Sequence, residues 1–91
     1  MAPRIHQIEI TSAGFPANTG IAQFDSVFFV NNTTHPHQPA PDNGTATQWV
    51  PGPIPRDGES PQIVFNAAGK FPYNCVLDKN MKGTITVTAK S

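Results

Sequence analysis

Disulfide staples are excluded first: Cys75 is the only cysteine in 91 residues, and one thiol cannot close a bridge within its own chain. Charge is scarce as well. Six basic and six acidic residues balance to zero, and no basic cluster stands out, which argues against nucleic acid as a partner. No apolar run approaches the roughly 20 residues that cross a bilayer, so no membrane span is expected. The opening Met1-Ala2-Pro3-Arg4-Ile5-His6 has no apolar h-region and does not read as a signal peptide. A chain starting at a mature N-terminus, with Met1 added for expression, fits that observation equally. No Ser-His-Asp pattern, cleft carboxylate pair or phosphate-binding glycine loop is discernible, so the expectation is not an enzyme. Histidine is sparse too: His6, His35 and His37 are the three, and none follows His37.

What is present bounds the fold. The length suits a single domain over 1–91, whose modest core buries about 60–65% of the unfolded surface. Ten prolines and seven glycines are too many for a helical bundle and suit short strands joined by turns. Ile8 and Ile10 alternate with Gln7 and Glu9, which predicts a half-buried strand over about residues 4–11. Gly14-Phe15-Pro16 and Asn18-Thr19-Gly20 are turn material. Ser26 to Val30 is a continuous apolar run rich in β-formers and predicts a central strand covered on both faces.

Residues 35–61 are the least regular part. Pro36, Pro39 and Pro41 each remove a backbone donor, so this stretch forms neither a helix nor a central strand. A short edge strand fits Thr45 to Val50. A loop this long in so small a domain is more often functional than idle. Strand character returns at Gln62 to Phe65. Phe71, Tyr73 and Cys75 alternate onto one face of the next strand, Lys79-Asn80 reads as a tight loop, and Thr84 to Ala89 forms a last strand with Ile85, Val87 and Ala89 inward. Short strands, Pro/Gly turns and no helical period together predict an all-β, two-sheet antiparallel sandwich.

The chemistry concentrates in Tyr73-Asn74-Cys75-Val76-Leu77-Asp78-Lys79-Asn80-Met81. A thiolate and a thioether, joined by an imidazole, form a soft donor set that selects copper over hard cations. Trigonal His/Cys sites with a weak axial methionine are of the electron-transfer type. The segment Val30-Asn31-Asn32-Thr33-Thr34-His35-Pro36-His37, with an Asn-rich turn leading to Pro-His, resembles the strand-to-ligand segment of the cupredoxins, especially the plastocyanin and amicyanin branch. Gly69-Lys70-Phe71-Pro72-Tyr73-Asn74-Cys75 is similar to that family's Gly-x-Tyr-x-Tyr-x-Cys strand, with Phe71 the exception. Met81-Lys82-Gly83-Thr84-Ile85-Thr86-Val87 resembles its Met-x-Gly ending. The Cys75-to-Met81 spacing matches the amicyanin-like ligand loop without a gap. The resemblance spans nearly the whole chain and is weakest across residues 38–61.

It implies a cupredoxin-like Greek-key β-sandwich holding one mononuclear copper, with His37 as first imidazole ligand, Cys75 as thiolate and Met81 as axial thioether. It also implies electron transfer with a redox partner protein, and a periplasmic or otherwise extracytoplasmic location. A monomer is expected.

Asp78 departs from the family pattern, which places a second histidine three residues after the cysteine. Three outcomes follow. Asp78 ligates, giving a His37, Cys75, Asp78 and Met81 set whose hard oxygen favours Cu(II). Or it points to solvent and leaves the position open or water-filled. Or the site is vestigial or altered by engineering, leaving a cupredoxin-like binding or structural module without metal.

Plainer readings stand beside these. Cys75 alone would be a buried thiol and Met81 core filler. His37 would be a solvated loop histidine, with His35 its competitor two residues away. Both histidines ligating would restore a second imidazole, but Pro36 between them works against it. His6 reads as structural, on the Ile8/Ile10 face. Trp49, Val50, Pro51 and Ile54 read as core or loop packing rather than an apolar docking patch. Asp57 and Glu59 read as solvated loop residues.

Overall fold

The computed structural model describes residues 3–42, 49 and 52–90. Seven strands order the chain: β1 (Ile5–Ile10), β2 (Thr19–Ala22), β3 (Ser26–Asn31), β4 (Pro39–Pro41), β5 (Ile63–Val64), β6 (Gly69–Cys75) and β7 (Asp78–Thr88). No helix occurs among the described residues. The strands form two sheets, ordered β1-β3-β5 and β2-β7-β6-β4, so the two-sheet β-sandwich expected from sequence is found.

The pairing is mixed rather than wholly antiparallel. β3–β5, β4–β6 and β6–β7 are antiparallel, whereas β1 runs parallel to β3 and β2 parallel to β7. The reason is topological. After β1 the chain crosses to the other sheet as β2, then re-enters the first sheet as β3 in the original direction.

Alternation decides what each strand buries. Ile8 and Ile10 of β1, Val27 and Phe29 of β3, Tyr73 and Cys75 of β6, and Ile85 and Val87 of β7 face inward. β3 lies between two neighbours and is buried or half-buried along its length, as the Ser26–Val30 run predicted. The centre is aromatic. Tyr73 packs edge-on against Phe15 and Phe29, with ring centroids 4.8 and 5.7 Å apart. Trp49 stacks on Phe29 and leans on Phe65 and Tyr73, and Ile54 is buried, so both belong to core packing. Val50, Pro51 and most of the expected Thr45–Val50 strand lie outside the described residues.

Several sequence expectations need correction. Thr19 and Gly20 are not turn but the start of β2, recruited by pairing with Ile85 and Thr86 of β7. Lys79-Asn80 is not the tight loop: the turn is Val76–Leu77, Asp78 already pairs with Cys75, and β7 runs from Asp78 to Thr88. Ala89 lies beyond the strand and is exposed. The proline-rich stretch does contain a strand, β4, at a sheet edge where a missing donor costs least. Asp57 and Glu59 are exposed, as read.

Candidate metal centre

β6 carries Cys75 at its inner end, and the strand's alternation places the thiol on the same buried face as Tyr73. The backbone N–H of Gln38 donates to Cys75 Sγ at 3.4 Å. His37 is anchored through its backbone, bonding Ile54 in both directions at 3.2 and 2.8 Å. These anchors bring His37 Nδ1 to 3.5 Å from Cys75 Sγ, with both residues buried. Burial holds the His37 imidazole below its ordinary pKa; the Asp78 charge opposes this and His35 adds to it. A neutral imidazole is the metal-binding form.

Asn31 shapes the intervening loop, a role that the sequence reading, which quoted it only as part of an Asn-rich turn, did not assign. The side chain is fully buried. Its amide donates to the carbonyls of His35 at 2.8 Å and Ile54 at 2.9 Å. Its Oδ1 accepts the Thr33 N–H at 3.0 Å and lies 2.7 Å from Thr33 Oγ1. A buried amide satisfied on both sides fixes the path of the loop carrying His37. An asparagine ending an otherwise apolar strand was the available signal.

Gly83 is required by close approach. A Cβ there would lie 2.6 Å from Tyr73 Oη and 2.8 Å from the Pro16 carbonyl oxygen. The glycine lets β7 lie close over Tyr73, two residues from Cys75 along β6.

Met81 is half-buried, packs against the core and lines an open cleft of about 400 Å3 together with His37, His35 and Asp78. Asp78 is exposed, and its Oδ1 accepts the Asn80 N–H at 3.2 Å. Among the described residues no three His, Cys, Asp or Glu side chains come close enough together to hold a metal ion. The structure therefore brings His37 and Cys75 together, sets Met81 and Asp78 on a cleft that His37 lines and Cys75 does not, and leaves His35 exposed at its edge. His6 is remote from the cleft, bonded to Asp25 at 2.8 Å at the other end of the sandwich. The donors fit a soft metal in part. An imidazole nitrogen and a cysteine sulfur are pre-positioned and a thioether shares the His37 cleft, while the position after them belongs to a carboxylate engaged elsewhere.

No protein-family profile matches the chain, and no curated protein matches it by sequence. Solved structures do match in fold. Amicyanin from Paracoccus versutus (Thiobacillus versutus) superposes with a TM-score of 0.77 at 24% identity, covering 90% of this chain and 79% of that one. A methionine-to-alanine variant of amicyanin in its Cu(I) form gives 0.77 at 19% identity, over 97% of this chain and 86% of that one. A proline-to-glycine variant of amicyanin, reduced and in the Cu(I) form at pH 4, gives 0.78 at 16% identity, over 90% and 80%. The fold is the cupredoxin-like β-sandwich of amicyanin.

Proposed function

We propose that this chain is a small copper-binding protein of the electron-transfer type, holding a single copper through His37, Cys75 and Met81 with Asp78 at the fourth position. The observation that carries the reading is the buried pair His37 Nδ1 and Cys75 Sγ, 3.5 Å apart. Two such donors held together by Ile54, Gln38 and Asn31 need little movement to bind, and little on a change of oxidation state. Bound copper would supply a one-electron couple. The chain's own groups do the rest. The Gln38 N–H stabilises charge on Cys75 Sγ. Burial lowers the His37 pKa, which favours its neutral form, and the core behind Cys75 excludes water. A redox partner protein, a monomeric state and a periplasmic or other extracytoplasmic location belong to the same proposal.

The test is direct. Cu(II) added to the purified metal-free protein should give an intense thiolate-to-copper absorption and a mass gain of one copper, and Cys75→Ala should abolish the band. No binding at one equivalent would sink the proposal. That outcome would favour the second reading, a cupredoxin-like binding or structural module without metal, which the exposed, Asn80-bonded Asp78 supports.

A further inference from the structure

We propose that a recess at the His6–Asp25 end of the sandwich binds a small oxyanion of the phosphate class. The site shares no residue with the metal centre and stands whether or not copper binds there.

The recess, of about 500 Å3, is lined from the outer strands of both sheets, β1 and β2, and from the end of β7. That volume lies within the range of small-molecule sites. Three observations carry the proposal. First, the fold gathers charge that the sequence keeps apart. Arg4, ahead of β1, and Lys90, beyond β7, come from opposite ends of the chain and line the same recess. Both rise from anchored backbone: the Arg4 carbonyl accepts the Ser26 N–H at 2.9 Å, and the Lys90 N–H donates to Gln23 Oε1 at 3.3 Å.

Second, the carboxylate in the lining is already committed. Asp25 is buried and accepts from the Arg4 N–H, the Ala22 N–H and His6 Nε2. One negative charge facing those donors leaves the guanidinium and the ammonium in excess, so the recess is positive in a chain whose charges balance to zero.

Third, an edge strand offers a backbone donor. The Gln23 N–H turns toward β7 and bonds the Thr88 carbonyl at 2.9 Å, whereas the Ala22 N–H turns away to Asp25 at 3.1 Å. Alternation along β2 sends the Gly20 N–H the same way as that of Ala22, to the outer edge. Gly20 is exposed, and a Cβ built on it would meet nothing within 4 Å, so a ligand reaches this N–H unobstructed.

The donors thus arrive from different elements: the Arg4 fork from β1, the Gly20 N–H from β2, and the Thr88 hydroxyl with the Lys90 ammonium from the end of β7. A tetrahedral oxyanion accepts from several sides at once and suits that arrangement better than a planar carboxylate. The phosphate group is either free or carried on a lipid.

Amide 1H–15N spectra of the whole metal-free chain, titrated with inorganic phosphate at constant ionic strength, test this. The expected result is saturable shifts centred on Arg4, Gly20, Ala22 and Lys90, with none when sodium chloride replaces phosphate. Acetate should bind at least about threefold more weakly. Arg4→Gln keeps the backbone bond to Asp25, and it and Lys90→Gln should each weaken binding about threefold, and together about tenfold. Gly20→Ala should bind as wild type, whereas Gly20→Pro, which removes the N–H at a sheet edge, should bind more weakly. Cosedimentation with vesicles containing phosphatidic acid, reversed by inorganic phosphate, would assign the group to a lipid headgroup. A positive phosphate titration without cosedimentation would assign it to a soluble ligand, and either result supports the site.

Four results would overturn the proposal: no saturable shift, shifts that sodium chloride reproduces, acetate binding as tightly as phosphate, or unchanged binding when Arg4→Gln and Lys90→Gln are combined.

Discussion

Asp25 and Asp78 occupy opposite ends of the sandwich and show two uses of one side chain. Asp25, at the turn between β2 and β3, is buried and accepts from three donors: the Arg4 N–H at 2.9 Å, the Ala22 N–H at 3.1 Å and His6 Nε2 at 2.8 Å. Those bonds tie β1 to the turn and hold Phe24 at a φ of 77°, a left-handed conformation that phenylalanine rarely adopts. Asp78, on the cleft at the start of β7, is exposed and accepts from one backbone N–H. A saturated carboxylate is committed to the fold. An undersaturated one at a cleft remains available for chemistry. The same contrast separates the histidines: His6 is spent on Asp25, whereas His37 faces a thiol.

The largest effect on stability is expected at the saturated end. Asp25→Ala leaves the Arg4 and Ala22 donors without their acceptor and releases the Phe24 turn, so the urea midpoint should fall further than for any other substitution considered. The pH dependence follows from the same bonds. The Arg4 N–H first, then the His6 bond, hold the Asp25 carboxyl down at about 2, below its ordinary 3.8. A depressed acid stabilises the fold fully above the unfolded value and loses that contribution as pH falls from there toward about 2. Asp25→Asn should flatten this part of the acid limb in urea titrations from about pH 5 downward. An unchanged limb would mean that the Asp25 bonds do not distinguish it energetically from Asp78.

This end of the molecule was hardly legible in the sequence. Gln23-Phe24 contains no glycine, proline or asparagine, and the turn exists because a carboxylate one residue later organises it. β2 was equally hidden, since Thr19-Gly20 has turn composition and becomes strand only by pairing with β7. The other end was read more easily. Alternation placed Tyr73 and Cys75 inward from local pattern alone, whereas His37 was singled out only by the resemblance of its Pro-His segment to the cupredoxins. Even there, the two-residue turn at Val76–Leu77 was missed: its apolar residues carry no turn chemistry, and pairing of Cys75 with Asp78 imposes it. The separation of Asp78 from the His37–Cys75 pair depends on that turn and on the Asn80 N–H, neither of which spacing encodes.

A mid-sized effect is expected where β7 crosses Tyr73. Gly83→Ala would push a Cβ to 2.6 Å from Tyr73 Oη and 2.8 Å from the Pro16 carbonyl oxygen. Overpacking of this kind costs on the order of 1–3 kcal/mol, read as a lower urea midpoint. Tyr73→Phe in the same chain removes the nearest atom and should recover part of the loss. The Pro16 backbone contact remains, so recovery should be incomplete. Full recovery would place the whole strain on the hydroxyl. No loss at all would show that β7 shifts freely here, and that the support behind Cys75 is softer than the Asp25 end.

The smallest effect should come from Asp78 itself in the metal-free protein. Its side chain is exposed, and its bond from the Asn80 N–H at 3.2 Å lies at the surface where water can replace it. Asp78→Ala should therefore change stability by no more than about 0.5 kcal/mol. Cys75 pairs with Asp78 through the backbone, so the register of β6 and β7 survives the substitution. A loss above about 1 kcal/mol would put Asp78 in the class of Asp25, a carboxylate held by the fold, and would remove the reason for regarding it as free to serve a metal. A near-zero loss in the metal-free protein, together with altered copper spectra in the loaded one, would separate the two aspartates by function: Asp25 acting on folding, Asp78 only at the cleft.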